Sequence, residues 1–316
     1  MGSGEQLRAA VVGVGPVGGI LAAHLVHGGN IVYPVDILKD HLTAIKTQGL
    51  RVSGLEDLKV VIPEVCYDIS ELKGRDIDVI FAAVKACVLP KIIESLKDVI
   101  EPGTYVVSYQ NGMDTEEMLA DAFGRGYALR VVVNYAGGFV ENGHVRMTFF
   151  NKPNYIGAAS DDGVEFAKRI AKIMTAAGLE TEYTSEIRKY VWEKVILNSA
   201  LGTLCAVTGQ TMKQAMDLPE TFDIVQNLAR EGIAVAAAAG YEYGDDFFDF
   251  CIDYLRKGGD HKPSTLVDVE CKRPTEIEFL NGKIVEYGKR LGIETPYQTT
   301  VTNLLRAKQD LYLKGD

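Results

Sequence analysis

Apolar and polar positions divide this chain into two textures. Up to about residue 183, apolar runs of strand length fall at 9–12, 31–35, 60–62, 79–84, 105–109, 130–135, 144–149 and 154–156. Helical periodicity lies between several of them, at 20–26, 41–47, 89–100 and 115–122. Alternation of this kind predicts a mostly parallel sheet covered by helices. The last strands are closer together and carry turn signals such as Glu141-Asn142-Gly143, which predicts an antiparallel edge. From about Ser185 long helical periods take over, at 186–207, 221–239, 264–271, 275–290 and 297–313. Gly209, Pro219, Gly240, Gly258-Gly259, Pro274, Gly292 and Pro296 separate them. The expected organisation is an α/β domain over residues 1–184 and an all-α domain over residues 185–316.

The first strand runs straight into Gly13-Val14-Gly15-Pro16-Val17-Gly18, and an alanine- and leucine-rich helix follows. Three glycines at the G-x-G-x-x-G spacing, between a strand and a helix, point to a Rossmann-type dinucleotide site. Gly13 permits the tight turn, Gly15 lets the backbone approach a pyrophosphate, and Gly18 lets the helix pack on the strand. The helix N-terminus, with unpaired N–H groups and the positive dipole end, would hold the pyrophosphate beside Pro16 and Val17. Asp36 stands 18 residues after Gly18, at the end of the second strand. A carboxylate there accepts from a ribose 2′-OH and repels a 2′-phosphate, which favours NAD(H); the alternative is that Asp36 only opens a turn or caps the next helix. Lys39 keeps NADP(H) open. A ligand is expected in the cleft between the domains, over the carboxyl ends of the parallel strands.

Composition narrows the classes. The chain has 316 residues, 47% of them hydrophobic and 24% charged, as in a globular protein of two domains. A net charge of −10 argues against a nucleic-acid partner, which requires a basic footprint. No apolar run approaches the length of a membrane span, and Met1-Gly2-Ser3-Gly4-Glu5-Gln6 has neither the basic start nor the apolar core of a signal peptide. Five scattered cysteines with no C-x-x-C pair suit reduced thiols in a cytoplasm, and neither they nor the five histidines show metal-ligand spacing. No metal is expected.

Three polar clusters could carry chemistry. Lys194 and Asn198 stand four apart, on one face of a largely apolar helix. A lysine so placed either snorkels to solvent or points into a cleft as a proton donor. Ser264 opens a second cluster, which continues through Pro274-Thr275-Glu276-Ile277-Glu278; Pro274-Thr275 reads as a helix start, placing Glu276 in its first turn, where it could simply complement the dipole. Glu278 is an equal candidate on these grounds. The third cluster, Ser108-Tyr109-Gln110-Asn111-Gly112-Met113, follows a parallel strand, although Asn111-Gly112 also suits a plain turn. Lys85 ends another strand on the same edge, and a solvated strand-end lysine is the alternative there.

Taken together these residues resemble the ketopantoate reductase (2-dehydropantoate 2-reductase) family over essentially the whole chain. The shared features are Gly13/Gly15/Gly18, Val84-Lys85-Ala86, Gln110-Asn111-Gly112, Trp192 to Asn198 as W-x-K-x-x-x-N, Ser264, and Pro274 to Gly282. The resemblance implies a Rossmann-type domain plus a helical domain and NAD(P)H-dependent reduction of a 2-keto acid to an (R)-2-hydroxy acid. It implies Lys194 as general acid with Glu276 as its partner carboxylate, and Asn111, Asn198 and Ser264 as substrate contacts. It places Lys85 near cofactor and substrate, joining Gly13, Gly15, Pro16, Val17, Gly18, Asp36 and Asn111 in the cofactor set. Two departures stand out. Family members commonly carry a second asparagine and then a proline where this chain has Gly202 and Thr203, and the pantoate-making enzymes usually take NADPH through an arginine where this chain has Asp36-Ile37. Both suit an NAD-dependent D-2-hydroxy acid dehydrogenase with another substrate. A dinucleotide sensor without turnover is the non-enzymatic alternative, although binding NAD alone requires none of Lys194, Asn198, Ser264 and Glu276. A homodimer is left open.

Overall fold

The computed structural model describes residues 6–314, so Met1-Gly2-Ser3-Gly4-Glu5 lies outside the described residues. Contacts divide the described residues into two compact units, one running up to residue 110 and again over 114–187, the other running from residue 188 onward and including 111–113.

The first unit alternates as its pattern predicts. It runs β1 (Arg8–Val12), α1 (Pro16–His27), β2 (Ile31–Val35), α2 (Lys39–Gln48), β3 (Leu50–Gly54), β4 (Leu58–Val60), β5 (Val79–Ala82) and α3 (Leu89–Leu96). It continues with β6 (Tyr105–Ser108), α4 (Thr115–Phe123), β7 (Ala128–Val132), β8 (Tyr135–Glu141), β9 (His144–Phe150), β10 (Asn154–Ala158), α5 (Val164–Ala176) and β11 (Thr181–Tyr183). Seven strands form the main sheet in the order β11-β10-β7-β6-β5-β1-β2. From β7 to β2 every neighbour is parallel, while β10 runs antiparallel to β7. The strands are near-continuous apolar runs because both faces are covered. Ala9, Val11, Val79 and Phe81 pack with Leu21 and Leu25 of α1; Ala10, Val12, Ile80 and Ala82 pack with Leu89, Ile93 and Leu119. Pro34 is tolerated within β2 because β2 is an edge strand. The order reverses between β1 and β5, so the loops leaving these two strands adjoin at the switch point where α/β sheets bind ligands.

The antiparallel edge is realised by β10 and β11, which run together against β7, but the Glu141-Asn142-Gly143 turn does not serve it. That turn joins β8 to β9 in a separate four-stranded sheet, β4-β3-β9-β8, in which β3 runs parallel to β9.

The second unit is helical: α6 (Ile187–Thr208), α7 (Met212–Asp217), α8 (Pro219–Ala238), α9 (Phe247–Arg256), α10 (Ser264–Glu270), α11 (Asn281–Leu291) and α12 (Pro296–Leu313). Buried Trp192 of α6 meets Tyr287 of α11 edge-on at 5.2 Å. Lys308 of α12 donates to the Ala206 and Val207 carbonyls at 2.9 and 3.1 Å, closing the exposed end of α6. No helix among the described residues is long and apolar enough to cross a membrane.

Candidate active site

The glycine loop after β1 meets the steric demands of a dinucleotide cradle. Gly13 has φ of +90°, and a Cβ there would stand 2.9 Å from Val84 Cγ1 and 3.0 Å from the Ala83 carbonyl oxygen. A Cβ at Gly18 would collide with the Gly13 carbonyl, so the first turn of α1 folds directly onto the loop. Gly15 differs: nothing lies within 4 Å of its Cβ position. It caps α1 without a side chain, Pro16 follows, and the first-turn N–H groups have no intrahelical acceptor. Open space beside Gly15, faced by these donors, fits a pyrophosphate.

Side chains hold this loop from behind. The Asp36 carboxylate accepts the Val14 N–H at 2.8 Å through Oδ2 and the Leu38 N–H at 3.0 Å through Oδ1. Asp36 therefore does open the turn into α2, and it is also tied to the glycine loop; each oxygen keeps further accepting capacity for a ribose hydroxyl. His41 is fully buried, with Nε2 3.0 Å from the Val14 carbonyl oxygen and Nδ1 accepting the Gly143 N–H at 3.0 Å. Tyr135 donates to the Val17 carbonyl at 3.0 Å, and its oxygen lies 3.0 Å from that of Tyr109. Burial pushes both phenols well above their usual range, so they stay neutral at physiological pH. His41 and Tyr135 are absent from the candidate set because a buried histidine or tyrosine carries no local sequence signal of its partner. Lys85 follows β5 at the switch point, half-buried and engaged in polar or electrostatic contacts.

In the second unit Lys194 and Asn198 lie one turn apart on α6, both half-buried, among the buried Val191, Val195, Leu197 and Leu201. Lys194 is engaged in polar or electrostatic contacts. Next to it in sequence, Glu193 has its carboxyl raised by burial, against the opposing pull of Lys189 and Lys194. Glu276 is only 9% exposed, a carboxylate removed from water, and it too is engaged in polar or electrostatic contacts. Glu278, by contrast, is exposed and pairs with Arg306, whose Nε donates to Oε1 at 2.7 Å. Ser264 is exposed at the start of α10. Gly202, one turn beyond Asn198, faces the residues on either side of Ser264: its Cβ position lies 3.5 Å from Thr265 Oγ1 and 3.9 Å from Pro263 Cβ.

Glu276 does not sit in the first turn of an α-helix. It precedes a 3₁₀ turn, Ile277–Phe279, and α11 begins only at Asn281. The reason lies in the Gln110-Asn111-Gly112 segment. The Met113 N–H donates to the Phe279 carbonyl at 2.9 Å, while the Lys283 N–H goes to Leu280 at 3.0 Å, so the helical ladder is interrupted where the loop docks. Gly112, with φ of +103°, lies so close that a Cβ would stand 2.6 Å from Phe279 Cβ. Asn111, half-buried, is thereby held beside the turn that carries Glu276. Gln110 stays with the sheet unit, where its Oε1 accepts the Ser108 hydroxyl at 2.8 Å. Buried Arg130 donates to Ser108 at 2.6 Å and also to Thr115.

Asn281 is a further residue that its motif did not single out. Fully buried, it accepts from Thr203 Oγ1 at 2.5 Å and donates to the Ser199 carbonyl at 2.9 Å and to Gln298 Oε1 at 2.8 Å. Burial pushes the thiols of Cys205 and Cys251 up to about 12, so neither offers a thiolate at neutral pH.

Known proteins show the same organisation. The family described as ketopantoate reductase PanE/ApbA matches residues 9–161, and its C-terminal counterpart matches residues 186–309. A 2-dehydropantoate 2-reductase of Aquifex aeolicus is 28% identical over 98% of this chain and 99% of its own length. The crystal structure of the 2-dehydropantoate 2-reductase from Geobacter metallireducens is 26% identical, with a TM-score of 0.89 over 95% of this chain and 99% of that one. A D-mandelate dehydrogenase solved with NADH and anilino(oxo)acetate shares the fold at 24% identity and a TM-score of 0.87, covering 97% of this chain and 99% of that one. With both family matches in register with the two units just described, the chain belongs to the ketopantoate reductase family.

Proposed function

We propose that this chain is a nicotinamide-dependent oxidoreductase that reduces a 2-keto acid to its (R)-2-hydroxy acid. The observation that carries the reading is a lysine, an amide and a buried carboxylate (Lys194, Asn198, Glu276) in a unit whose companion carries an open glycine cradle. Binding a dinucleotide alone requires none of the three, which favours an enzyme over a sensor.

Gly13, Gly15, Pro16, Val17 and Gly18 would hold the pyrophosphate, Asp36 the adenosine ribose, and Lys85 and Asn111 the neighbourhood of the nicotinamide, which supplies a hydride when bound. As negative charge grows on the keto oxygen, the Lys194 ammonium stabilises it and delivers the proton. Glu276 would hold that ammonium in place and anchor a substrate hydroxyl. Asn198, Ser264 and Asn111 would orient the carboxylate and tail of the substrate.

NADH is the preferred cofactor on this reading. Asp36 disfavours a 2′-phosphate, and the adjoining Ile37, 88% exposed, offers that phosphate no cation. The reaction would run in the cytoplasm on small acids, with ketopantoate the leading single substrate and other D-2-hydroxy acid precursors beside it. Oxidation of NADH and NADPH over a panel of 2-keto acids tests the proposal. Turnover with one of them supports it; dinucleotide binding with no turnover on any acid leaves the sensor.

A further inference from the structure

Val14 has both of its backbone groups held by side chains: its N–H by Asp36 and its carbonyl by His41. The acceptor side of His41 is equally constrained, because Gly143 can only donate through its N–H. Nδ1 must therefore carry the lone pair, and Nε2 must carry the proton that reaches the Val14 oxygen. The ring is fully buried, and Phe139 lies tilted against it at 5.1 Å between centroids. No water replaces either partner in such a place.

A trans peptide directs its carbonyl and its N–H to opposite sides. Drawing the Val14 carbonyl back to His41 consequently aims the Gly15 N–H the other way. A Cβ built on Gly15 meets no atom within 4 Å, so there is room beside it for a ligand. The two ends of the ring also join distant parts of the chain, the loop after β1 and the turn between β8 and β9.

We propose that His41, as the neutral Nε2–H tautomer, is a positioning residue for the dinucleotide, orienting the Val14–Gly15 peptide toward the pyrophosphate. The proposal rests on the dinucleotide-binding reading of the glycine loop. His41 touches no reacting atom and acts only through that peptide.

Two isosteric variants separate the ring's two contacts. In His41→Gln the side-chain amide nitrogen replaces Nε2 and keeps the bond to Val14; in His41→Asn the amide oxygen replaces Nδ1 and keeps only the bond to Gly143. Calorimetric titration of the whole protein with NADH should give nearly unchanged affinity for His41→Gln. His41→Asn and His41→Leu should bind about tenfold more weakly, the scale of one hydrogen bond's worth of orientation. With NADH varied at saturating keto acid, their loss should appear in the KM for cofactor rather than in kcat. Equal weakening of the Gln and Asn variants, or none in either, overturns the positioning role while wild-type binding keeps the dinucleotide reading intact. A wild-type protein that binds neither NADH nor NADPH overturns both. Nitrogen-15 NMR of histidine-labelled wild-type protein tests the tautomer without any variant: a protonated Nε2 with a bare Nδ1 is expected for His41, and a protonated Nδ1 refutes the proposal.

Discussion

Thr203 donates its hydroxyl to the side-chain oxygen of Asn281 at 2.5 Å, and neither residue is exposed by more than 1%. Through its amide nitrogen Asn281 also holds the Ser199 carbonyl, so the start of α11 is fastened to the stretch of α6 that carries Asn198 and Gly202. The threonine that departs from the commoner proline thus has a structural partner. Thr203→Val should cost about 1 kcal/mol and Asn281→Ala about 3 kcal/mol, because the second removes three buried hydrogen bonds. Urea unfolding of both single variants and the double variant checks this. Strictly additive losses would show that the contact carries no coupling of its own.

Lys194→Ala should lower kcat for keto-acid reduction by at least about a hundredfold, the scale of losing a general acid. NADH affinity should persist, because the glycine loop belongs to the other unit. Steady-state rates paired with a binding titration distinguish the two effects. Near-normal turnover would mean that the half-buried lysine only snorkels.

Asp36 predicts a preference for NADH, measured as the ratio of kcat/KM for the two cofactors. Asp36→Ala should bring that ratio toward one. The variant also frees the Val14 N–H, so both cofactors should bind less well, but the ratio cancels this shared loss. A wild-type preference for NADPH would exclude the ribose role for Asp36.

Gly202 should set tolerance for the substrate tail. It lies beside Pro263 and Thr265 with only ordinary contact distances to a Cβ, so an added side chain would project into the region of Ser264. Without an amide here, an apolar tail leaves one fewer polar partner unpaired, so branched and aromatic 2-keto acids should compete well with ketopantoate. Gly202→Asn should shift selectivity toward ketopantoate by about tenfold, the scale of one added hydrogen bond. Chiral analysis of the products from ketopantoate, phenylpyruvate and 2-ketoisovalerate should give the R acids; S products would contradict the shared geometry.

Local signals carried the parts of this structure that are built locally. The turn at Gly13 and the packing at Gly18 are written within one strand-turn-helix, and both glycines have the geometry expected of them, while the space beside Gly15 is open. Lys194 and Asn198 share a face because a helix places residues four apart together. What escaped depends on partners far along the chain. β3 pairs with β9, Arg51 opposite His144, and five residues with alternating burial gave no local sign of that partner. The helix foreseen from Thr275 starts late because the Phe279 carbonyl is taken by Met113, a bond that no reading of residues 274–290 could contain. His41 looked like one more polar position on α2; only the fold brings Val14 and Gly143 to its two nitrogens.

Residues 111–113 belong with the helical unit, although the chain before and after them belongs to the sheet. Gly112 is fitted to Phe279 too closely for any side chain, and Met113 depends on that residue's carbonyl. This bears on how such a protein can be inherited and recombined. A crossover near residue 187 would deliver a sheet half from one parent carrying a loop shaped for that parent's own helical half. The exchangeable module is therefore the helical half together with a short stretch of sequence far upstream, and chimaeras that swap both should survive where a single splice fails.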